Sequence, residues 1–449
     1  MGVPTDDLAG TGVGRSGRDD LVPHDAAGRA AWCGALGLQA VVWGTPAVLQ
    51  YAQMSEQVLA PGAPGRLATF AHERTPAGPD FAGFRAPNVD TLYSNAWLDL
   101  RAGPAELHLP AFGDRYATVQ VVDAHSNAGN ISRRTVGDDR RFWLVPARWR
   151  GEAPAGVTVV PVGTDIVWLL LRIQVLGDDL AAVHRLQDAV TLTGARSLDD
   201  PVPIVGADEV EEDWRAFYRG LDAVLRLNGV PADEWAHVRQ FRALGLLGPE
   251  PWDEAALDEV TAGALQDSFA RAQSLLRAGR PLLGTPTGTG WTRVRDKGAH
   301  GHNVLARAVM NHVGLGANVA EENTSFNTHV DADGVGLAGA RAPYRLVLPT
   351  PPPARAFWSV TLYHVETGRL YADPQGRHSL GGAAADPGDD SGPVEMVIAH
   401  EDTGATSWLP CPQGAFYLIL RIYSPGAAVV DGSWVPPGVA AAAPPVPAS

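Results

Sequence analysis

The sequence predicts a mainly β protein with a helical insert, in which two related antiparallel β-sandwich or jelly-roll-like domains are joined by a helical segment. Three observations predict this α+β class. Short strand-like runs punctuated by Gly, Pro and Asp occur toward both ends of the chain, helical apolar spacing occupies the middle, and strand motifs recur in the same order in the two halves.

The strand-like runs of the first half are short and rich in β-branched residues, and the run at 166–175 is almost continuously apolar, as in a strand covered on both faces. Strand patterns return at 344–434. The predicted strands of the first half are 92–100, 107–110, 116–123, 157–162 and 166–175.

Helical patterns occupy 25–60, 178–194 and most of 208–312. Gly44-Thr45-Pro46 is expected to break the first of these into two helices, because proline lacks the amide hydrogen that a helix interior needs. The resulting domain prediction is a disordered segment 1–24, N-terminal helices with a first β domain 25–200, a helical insert 201–315, a second β domain 316–440 and a flexible tail 441–449.

An internal repeat supports the two-domain interpretation. The sequences 107–110 and 116–123 resemble 346–349 and 356–364, and the sequences 143–146 and 168–177 resemble 408–410 and 417–426. We interpret these as a duplicated antiparallel β unit. The alternative is convergence, since unrelated β-strands share residue preferences.

Composition limits the partners. The net charge of −15 disfavours nucleic acid and anionic membrane surfaces. The apolar stretch 35–54 is interrupted by Gly44 and Pro46 and favours buried helices over a membrane span, so we expect a cytoplasmic protein. The two cysteines are expected to be reduced, partly buried thiols. The basic residues are nearly all arginine, which we attribute to codon bias; a homodimer is possible.

The strongest candidate site is a dense polar and aromatic run, in which an amide, a carboxylate and a phenol stand close together as in many small-molecule sites. Its members are Asn88, Asp90, Thr91, Tyr93 and Trp97. The alternative is a buried structural network, with Asp90 and Thr91 capping backbone groups and Tyr93 and Trp97 filling the core.

A second candidate is Asp123-Ala124-His125. A carboxylate two residues from an imidazole can set its tautomer and raise its pKa, which would make His125 a general base. Asn127 and Arg133 follow closely and could hold an anionic group of a substrate. The alternative is an Asx turn with a surface histidine.

His364 occupies the place in the second repeat that the Asp123 region occupies in the first. If the halves face each other, Asp123 and His125 would meet Tyr363 and His364 near a pseudo-twofold cleft. On the same strand, Trp358 and Tyr363 are candidate substrate contacts, and Tyr93 or Tyr363 could serve as acid or oxyanion donor.

Signals for other chemistry are weak. His300 and His302 lie in a Gly-rich stretch without further ligands, and Asp331-Ala-Asp333-Gly334 lacks the later residues of a calcium loop, so we predict no metal. Glu321 and Glu322 are expected to lie in a solvated turn. Glycine fingerprints for nucleotides and the nucleophile-elbow motif are absent from the sequence, so no organic cofactor is predicted.

The run 87–100, PNVDTLYSNAWLDL, resembles the signature of the domain of unknown function 1254. The second half resembles the companion domain of unknown function 1214 through 356–363, 420–423 and 431–437, and GLGAN at 314–318 also fits. The resemblance implies two β domains with a helical insert and implies no reaction. His125 and His364 depart from the residues usual in these families.

Two hypotheses follow. The first is a cofactor-independent enzyme, such as a hydrolase, lyase or cyclase of specialised metabolism, acting by acid–base chemistry on a small organic molecule. His125 assisted by Asp123 would be the base, near Asp90 and His364. The second is a non-catalytic module that binds a small molecule or carbohydrate, or has a structural role.

Overall fold

The computed structural model describes residues 22–81, 86–198, 201–294, 297–373, 375–383 and 392–442. Residues 1–21 of the predicted disordered segment 1–24 lie outside the described residues. The same holds for residues 443–449 of the predicted tail 441–449.

The first half folds into two sheets. The inner sheet has the strand order β1-β2-β8-β4-β5 and the outer sheet the order β7-β6-β3-β9. All pairs are antiparallel except β6 with β7. The strands are β1 Ala71–His72, β2 Thr91–Asp99, β3 Ala105–His108, β4 Ala117–Asp123, β5 Ala128–Ser132, β6 Arg141–Pro146, β7 Thr158–Val162, β8 Ile166–Gln174 and β9 Thr191–Gly194.

The second half repeats this plan. Its inner sheet has the order β10-β11-β12-β18-β14-β15 and its outer sheet the order β17-β16-β13-β19, again with one parallel pair, β16 with β17. The strands are β10 Thr285–Pro286, β11 Thr292–Arg293, β12 Asn323–Thr328, β13 Tyr344–Leu348, β14 Ala354–His364, β15 Ser379–Ala383, β16 Val394–Ala399, β17 Trp408–Pro410, β18 Phe416–Pro425 and β19 Ala440–Ala441.

The sheet orders confirm an internal duplication, because β2 to β9 occupy the same places, in the same chain order, as β12 to β19. One predicted match is wrong. Residues 143–146 lie in β6, whereas 408–410 form β17, whose counterpart is β7. The counterpart of β6 is β16, which lacks the Trp-Leu-Pro resemblance. A three-residue match between strands reflects shared β preferences, and the position in the sheet decides the correspondence.

Each half is a sandwich with its own apolar core between its inner and outer sheets. In the first half, alternate residues of β8 such as Leu169 and Leu171 face Leu107 and Phe142 of the outer sheet. In the second half, Leu418 and Leu420 of β18 lie in the same core as outer-sheet residues such as Leu346. Because side chains alternate along a strand, the other faces of the two inner sheets are left to pack elsewhere.

The described helices are α1 Ala26–Met54, α2 Arg133–Val136, α3 Leu180–Ala189, α4 Ala207–Glu212, α5 Trp214–Asn228, α6 Trp235–Val238, α7 Glu259–Gly279, α8 Val304–Val313 and α9 Ala427–Asp431. Five of them, α1 and α4 to α7, form a third core against the first inner sheet, where Trp97, Val122, Trp168 and Leu170 pack beneath them. Shorter helical turns are Ser55–Leu59 (π), Leu100–Ala102, Arg239–Leu244, Glu254–Ala256 and Arg280–Leu282.

The predicted break at residues 44–46 does not occur, since α1 runs through Pro46 and continues into the π turn. The Thr45 hydroxyl donates to the Val41 carbonyl at 2.7 Å, and Gly44 lies directly against Leu221 of α5. Packing on several sides therefore holds the helix together across the proline. Within the described residues, 26–59 is one stretch long and apolar enough to cross a membrane, and most of its apolar window is buried inside the protein.

Candidate functional site

The second faces of the two inner sheets are turned toward each other and carry polar and aromatic side chains. At the centre of each lies a buried arginine, Arg172 on β8 and Arg421 on β18. The two arginines occupy equivalent positions in the sheets. In the strand register Arg172 lies between Tyr93 of β2 and Thr118 of β4, and Arg421 lies between Ser325 of β12 and Ser359 of β14, which are the corresponding strands. The repeated Leu-Arg-Ile sequence thus marks the interface between the halves.

Each arginine binds a loop of the opposite half. Arg172 donates to the Gly316 carbonyl at 2.9 Å and to Asn318 Oδ1 at 3.3 Å, in the segment that precedes β12. Arg421 donates to the Ala86 carbonyl at 2.7 Å, in the segment that precedes β2. Gly316 has a φ of +71°, and a Cβ there would come within 3.0 Å of the Trp168 ring. Both the backbone conformation and the lack of space therefore favour glycine at this position.

Asp90, Ser359, Tyr363, Arg421 and Tyr423 form what we call the Asp90 cluster. The Ser359 and Tyr423 hydroxyls donate to Asp90 Oδ2 at 2.7 and 3.0 Å. Tyr363 accepts a hydrogen bond from Arg421 and donates to the Pro87 carbonyl, both at 2.7 Å. Burial raises the pKa of Asp90, although these hydroxyls and the Arg421 charge oppose the shift.

Asn88 organises the signature segment. Its Oδ1 accepts from the backbone amides of Asp90 and Thr91 at 2.8 and 3.0 Å, and its Nδ2 donates to the Tyr93 hydroxyl at 2.6 Å. The capping that we considered for Asp90 and Thr91 is therefore performed by Asn88, which leaves the Asp90 carboxylate free to cross to the other half. The Arg172 guanidinium lies 5.3 Å from the Tyr93 ring centroid.

Glu322, Tyr116, Ser132 and Arg134 form what we call the Glu322 cluster. Glu322 is fully buried, so the expectation of a solvated turn at Glu321 and Glu322 is wrong for Glu322. Tyr116 donates to Oε1 at 3.0 Å, and Ser132 and Arg134 donate to Oε2 at 2.8 and 3.1 Å. All three donors come from the first half, and these contacts compensate the buried charge. Burial, and next the Glu322 charge, raise the pKa of Tyr116.

The two clusters are related by the duplication. Asp90 directly precedes β2 and Glu322 directly precedes β12, and each carboxylate accepts a tyrosine hydroxyl from the opposite half. The two tyrosines, Tyr116 and Tyr423, also touch each other, with ring centroids 5.4 Å apart. Each half therefore supplies a carboxylate and a loop that bind side chains of the other half.

A cleft of about 670 Å³ opens beside the Glu322 cluster. Tyr116, Ser132 and Arg134 line it from the first half, and Arg355 and Ser424 line it from the second. The volume is in the range of small-molecule sites. The arginines of its lining are Arg115, Arg133, Arg134, Arg140 and Arg355, and the acidic residues are Asp114, Asp138 and Asp139.

The arginines of the cleft differ in their partners. Arg134 is held by Glu322, and Arg115 by Asp179 at 3.1 Å. Arg133, a predicted substrate contact, is exposed and lies 3.7 Å from the Asp114 carboxylate. Arg140 and Arg355 have no ion-pair partner within the part of the chain that the structure describes, so their charges are available to a ligand.

The Asp123 and His125 pair lies elsewhere. The Asp123 carboxylate accepts from the backbone amides of His125 and Asn127, both at 2.9 Å, and from Asn127 Nδ2 at 3.1 Å. It fixes a turn and does not orient the imidazole, contrary to the expectation for a general base. The His125 ring is buried 5.0 Å from the Trp43 ring, so it is not a surface histidine either, and burial lowers its pKa.

The expected meeting of His125, Asp90 and His364 is not seen. The His125 ring contacts Trp43 of α1, and Asp90 lies in the Asp90 cluster. The His364 ring packs against Tyr371, with ring centroids 5.7 Å apart. Among the described contacts these three side chains share no residue. Alternation along β14 places Tyr363 at the interface and His364 on the opposite side of the strand.

Both predicted tryptophan contacts are core residues. Trp97 stacks on Trp168 with centroids 5.3 Å apart, beneath the helices, and donates to Gln57 Oε1 at 2.8 Å. Trp358 lies in the core between the sheets of the second half.

Asp331 accepts from the amides of Asp333 and Val335 at 3.0 and 2.9 Å and so forms the predicted turn. The described residues include no group of three or more potential metal ligands.

Sequence reasoning missed Glu322, Tyr116, Arg172, Arg421 and the buried Lys297. One signal could have found the arginines, since a charged residue recurs at the same place in two near-continuous apolar strands, 166–175 and 416–425. Such a residue is almost never left unpartnered in a core. The pairing across the halves has no local sequence signal.

Comparisons with known proteins agree with this architecture. Residues 67–194 match the model of a protein family of unknown function (DUF1254), and residues 322–427 match that of a second such family (DUF1214). The two matched segments therefore belong to these families, one in each half, as the sequence resemblance indicated. No curated protein matches the chain.

One solved structure shows the same fold. The VPA0106 protein from Vibrio parahaemolyticus is similar with a TM-score of 0.69 and 20% identity, over 92% of this chain and all (100%) of its own. A putative uncharacterized protein from Burkholderia cenocepacia has a TM-score of 0.43 and 15% identity over 97% of this chain and 93% of its own.

Proposed function

We propose that this protein is an enzyme that performs acid–base chemistry on a small anionic organic molecule bound in the cleft between the two halves. The observation that supports this most is the position of the Glu322 cluster directly beneath a cleft of about 670 Å³ with arginines from both halves in its lining. The proposal keeps the reaction class expected from the sequence, without an organic cofactor, and moves the site away from His125 and His364.

In this proposal Arg133, Arg140 and Arg355 hold the anionic group, because guanidinium groups bind carboxylates and phosphates with paired hydrogen bonds. Tyr116 faces the reacting part of the molecule. As the Tyr116 oxygen takes a proton from the substrate, its own hydroxyl proton passes to Glu322, to which it is hydrogen-bonded at 3.0 Å. Arg134 stabilises the carboxylate before this transfer.

The test is turnover of a panel of organic acids and phosphate esters, followed by mass spectrometry of the small molecules. Glu322→Gln removes the charge that takes the proton and should lower turnover by about 10²-fold or more. Glu395→Gln is the matched control, since Glu395 is exposed and pairs with Arg345 on the surface. If a substrate is found and Glu322→Gln turns it over at the wild-type rate, the assignment of Glu322 is wrong.

A second candidate function is a binding or structural module. It is favoured by the three donors that already occupy the Glu322 carboxylate, because a saturated network suits a permanent interface. This alternative predicts that anions bind in the cleft and are recovered unchanged by wild-type protein and by Glu322→Gln alike.

A further inference from the structure

Lys297 is the single lysine of a chain that has 35 lysine and arginine residues in all. Every other strongly basic position is therefore arginine. A compositional preference for arginine explains those positions and leaves the exception unexplained. The exception is also not on the surface, where lysine usually lies, because Lys297 is 8% exposed.

The partners of Lys297 are neutral. Its Nζ donates to Asn323 Oδ1 at 2.9 Å and to Ser325 Oγ at 3.1 Å, and no carboxylate pairs with it among the described residues. These partners lie on β12 beside Tyr423 and Arg421 in the strand register, so the amine lies at the inner face of the second inner sheet. A buried cation without an anionic partner is costly, and loss of the proton removes that cost.

The surroundings carry excess positive charge. Arg421 and Arg172 both act on Lys297, and the acceptors bonded to the two guanidinium groups are neutral: carbonyls, a phenol and side-chain amides. Two carboxylates lie close by: Asp90 acts on Arg421, and Glu322, which directly precedes Asn323, is held by Tyr116, Ser132 and Arg134. A bound carboxylate would offset the remaining positive charge.

We propose that Lys297 is an imine-forming amine that takes a small molecule carrying a ketone or aldehyde next to a carboxylate. The neutral amine adds to the carbonyl carbon, the carbonyl oxygen and the two amine protons leave as water, and a C=N bond remains. Arg421 and Arg172 lie beside the carboxylate of the bound molecule. Lys297, Arg172 and Arg421 are not part of the cleft's lining, and the proposal does not rest on the cleft's function.

Electrostatics support the geometry. Burial, then the charges of Arg421 and Arg172, lower the pKa of Lys297 to about 7, so a large share of the amine is neutral at that pH. An ordinary lysine would have on the order of 10³-fold less neutral amine there. Arginine cannot replace lysine in this role, because the guanidinium group stays protonated.

The test uses the full-length protein, pyruvate and sodium cyanoborohydride at pH 7.5, with intact mass and peptide mapping as readouts. We expect one reduced adduct on Lys297, distinguishable from an adduct on the N-terminal amine by its peptide. Labelling should rise with pH through about 7 in the folded protein, whereas in protein unfolded by urea the rise should move to about 10. Lys297→Met should lose this adduct and keep only the N-terminal one.

Acetone is the matched probe, because it offers a carbonyl without a carboxylate. Labelling by pyruvate at least tenfold faster than by acetone, relative to their rates on the unfolded chain, is the expected result. Equal relative rates would overturn the role of the arginines. Absence of a Lys297 adduct on folded wild-type protein at pH 7.5 to 9, while the N-terminus is labelled, would overturn the proposal whether or not the Lys297→Met variant folds.

Discussion

Removing the Tyr423 hydroxyl tests whether the Asp90 cluster joins the two halves. Tyr423→Phe deletes one donor to the Asp90 carboxylate and keeps the ring, which stacks on Phe357 with centroids 4.0 Å apart. A hydrogen bond to a charged acceptor contributes about 1.5–3 kcal/mol net. Since Ser359 still donates to the same oxygen, we expect the free energy of unfolding to fall by about 1.5–2 kcal/mol.

The assay is urea unfolding followed by tryptophan fluorescence. Tyr371→Phe is the control, because the Tyr371 hydroxyl has no hydrogen-bond partner among the described contacts, and its loss should change the free energy by less than about 0.5 kcal/mol. A cycle with Asp90→Asn should give a coupling energy of about 1 kcal/mol or more. A Tyr423→Phe variant as stable as Tyr371→Phe, with no coupling to Asp90, would refute the reasoning.

Three further outcomes are expected. Gly316→Ala should lower the melting temperature, because the new Cβ meets the Trp168 ring at a positive φ, whereas Gly129→Ala, where a Cβ meets nothing, should be much milder. His125→Phe should cost little stability, since both buried ring nitrogens lack partners in the described structure. It should also make the loss of stability below pH 6.5 smaller than in wild type, because burial lowers the pKa of His125; a large drop in stability at neutral pH would contradict this. For Lys297, the folded pKa of about 7 lies below the unfolded value, so this residue makes stability rise from about pH 7 toward pH 10.5, and urea titrations of Lys297→Met should lack that rise.

Asp90 should also make the free energy of unfolding depend on pH in the acidic range. Burial raises the pKa of Asp90, so the folded protein holds this proton at a pH where the unfolded chain has released it. Asp90 therefore stabilises most below the unfolded value of about 3.8, and this contribution is lost as pH rises through its folded pKa. Asp90→Asn should remove that part of the pH dependence.

The strands, their order in the chain and the duplication could be predicted from the sequence, because alternation and turn residues act locally. The strands 91–99, 117–123 and 166–174 match the predicted runs closely. The unbroken α1 could not be predicted, since neighbours remote in sequence hold the helix across Pro46. Local propensity yields to tertiary packing there.

The candidate site was partly predictable. The signature segment pointed to Asp90 and Asn88, and the structure places both at the interface, although it gives capping to Asn88. Glu322 could not be found in the same way, because Glu-Glu-Asn before a strand has the composition of a solvated turn. The prediction that His125 is a general base was wrong, although Asp-x-His suggests an imidazole oriented by a carboxylate. The chain turns at this point, with Ser126 at a φ of 63°, so the Asp123 carboxylate binds backbone amides instead of the ring.

The most direct test of the central claim is calorimetric titration of the protein with an organic carboxylate or phosphate, such as benzoate, malonate and glycerol phosphate. Arg355→Gln removes an unpartnered guanidinium of the cleft, and Arg369→Gln, at an exposed arginine outside its lining, is the matched control. We predict that at least one anion binds and that Arg355→Gln weakens it about tenfold while Arg369→Gln has no effect. Equal affinities in both variants, or no binding by any anion, would contradict a small-molecule site between the halves.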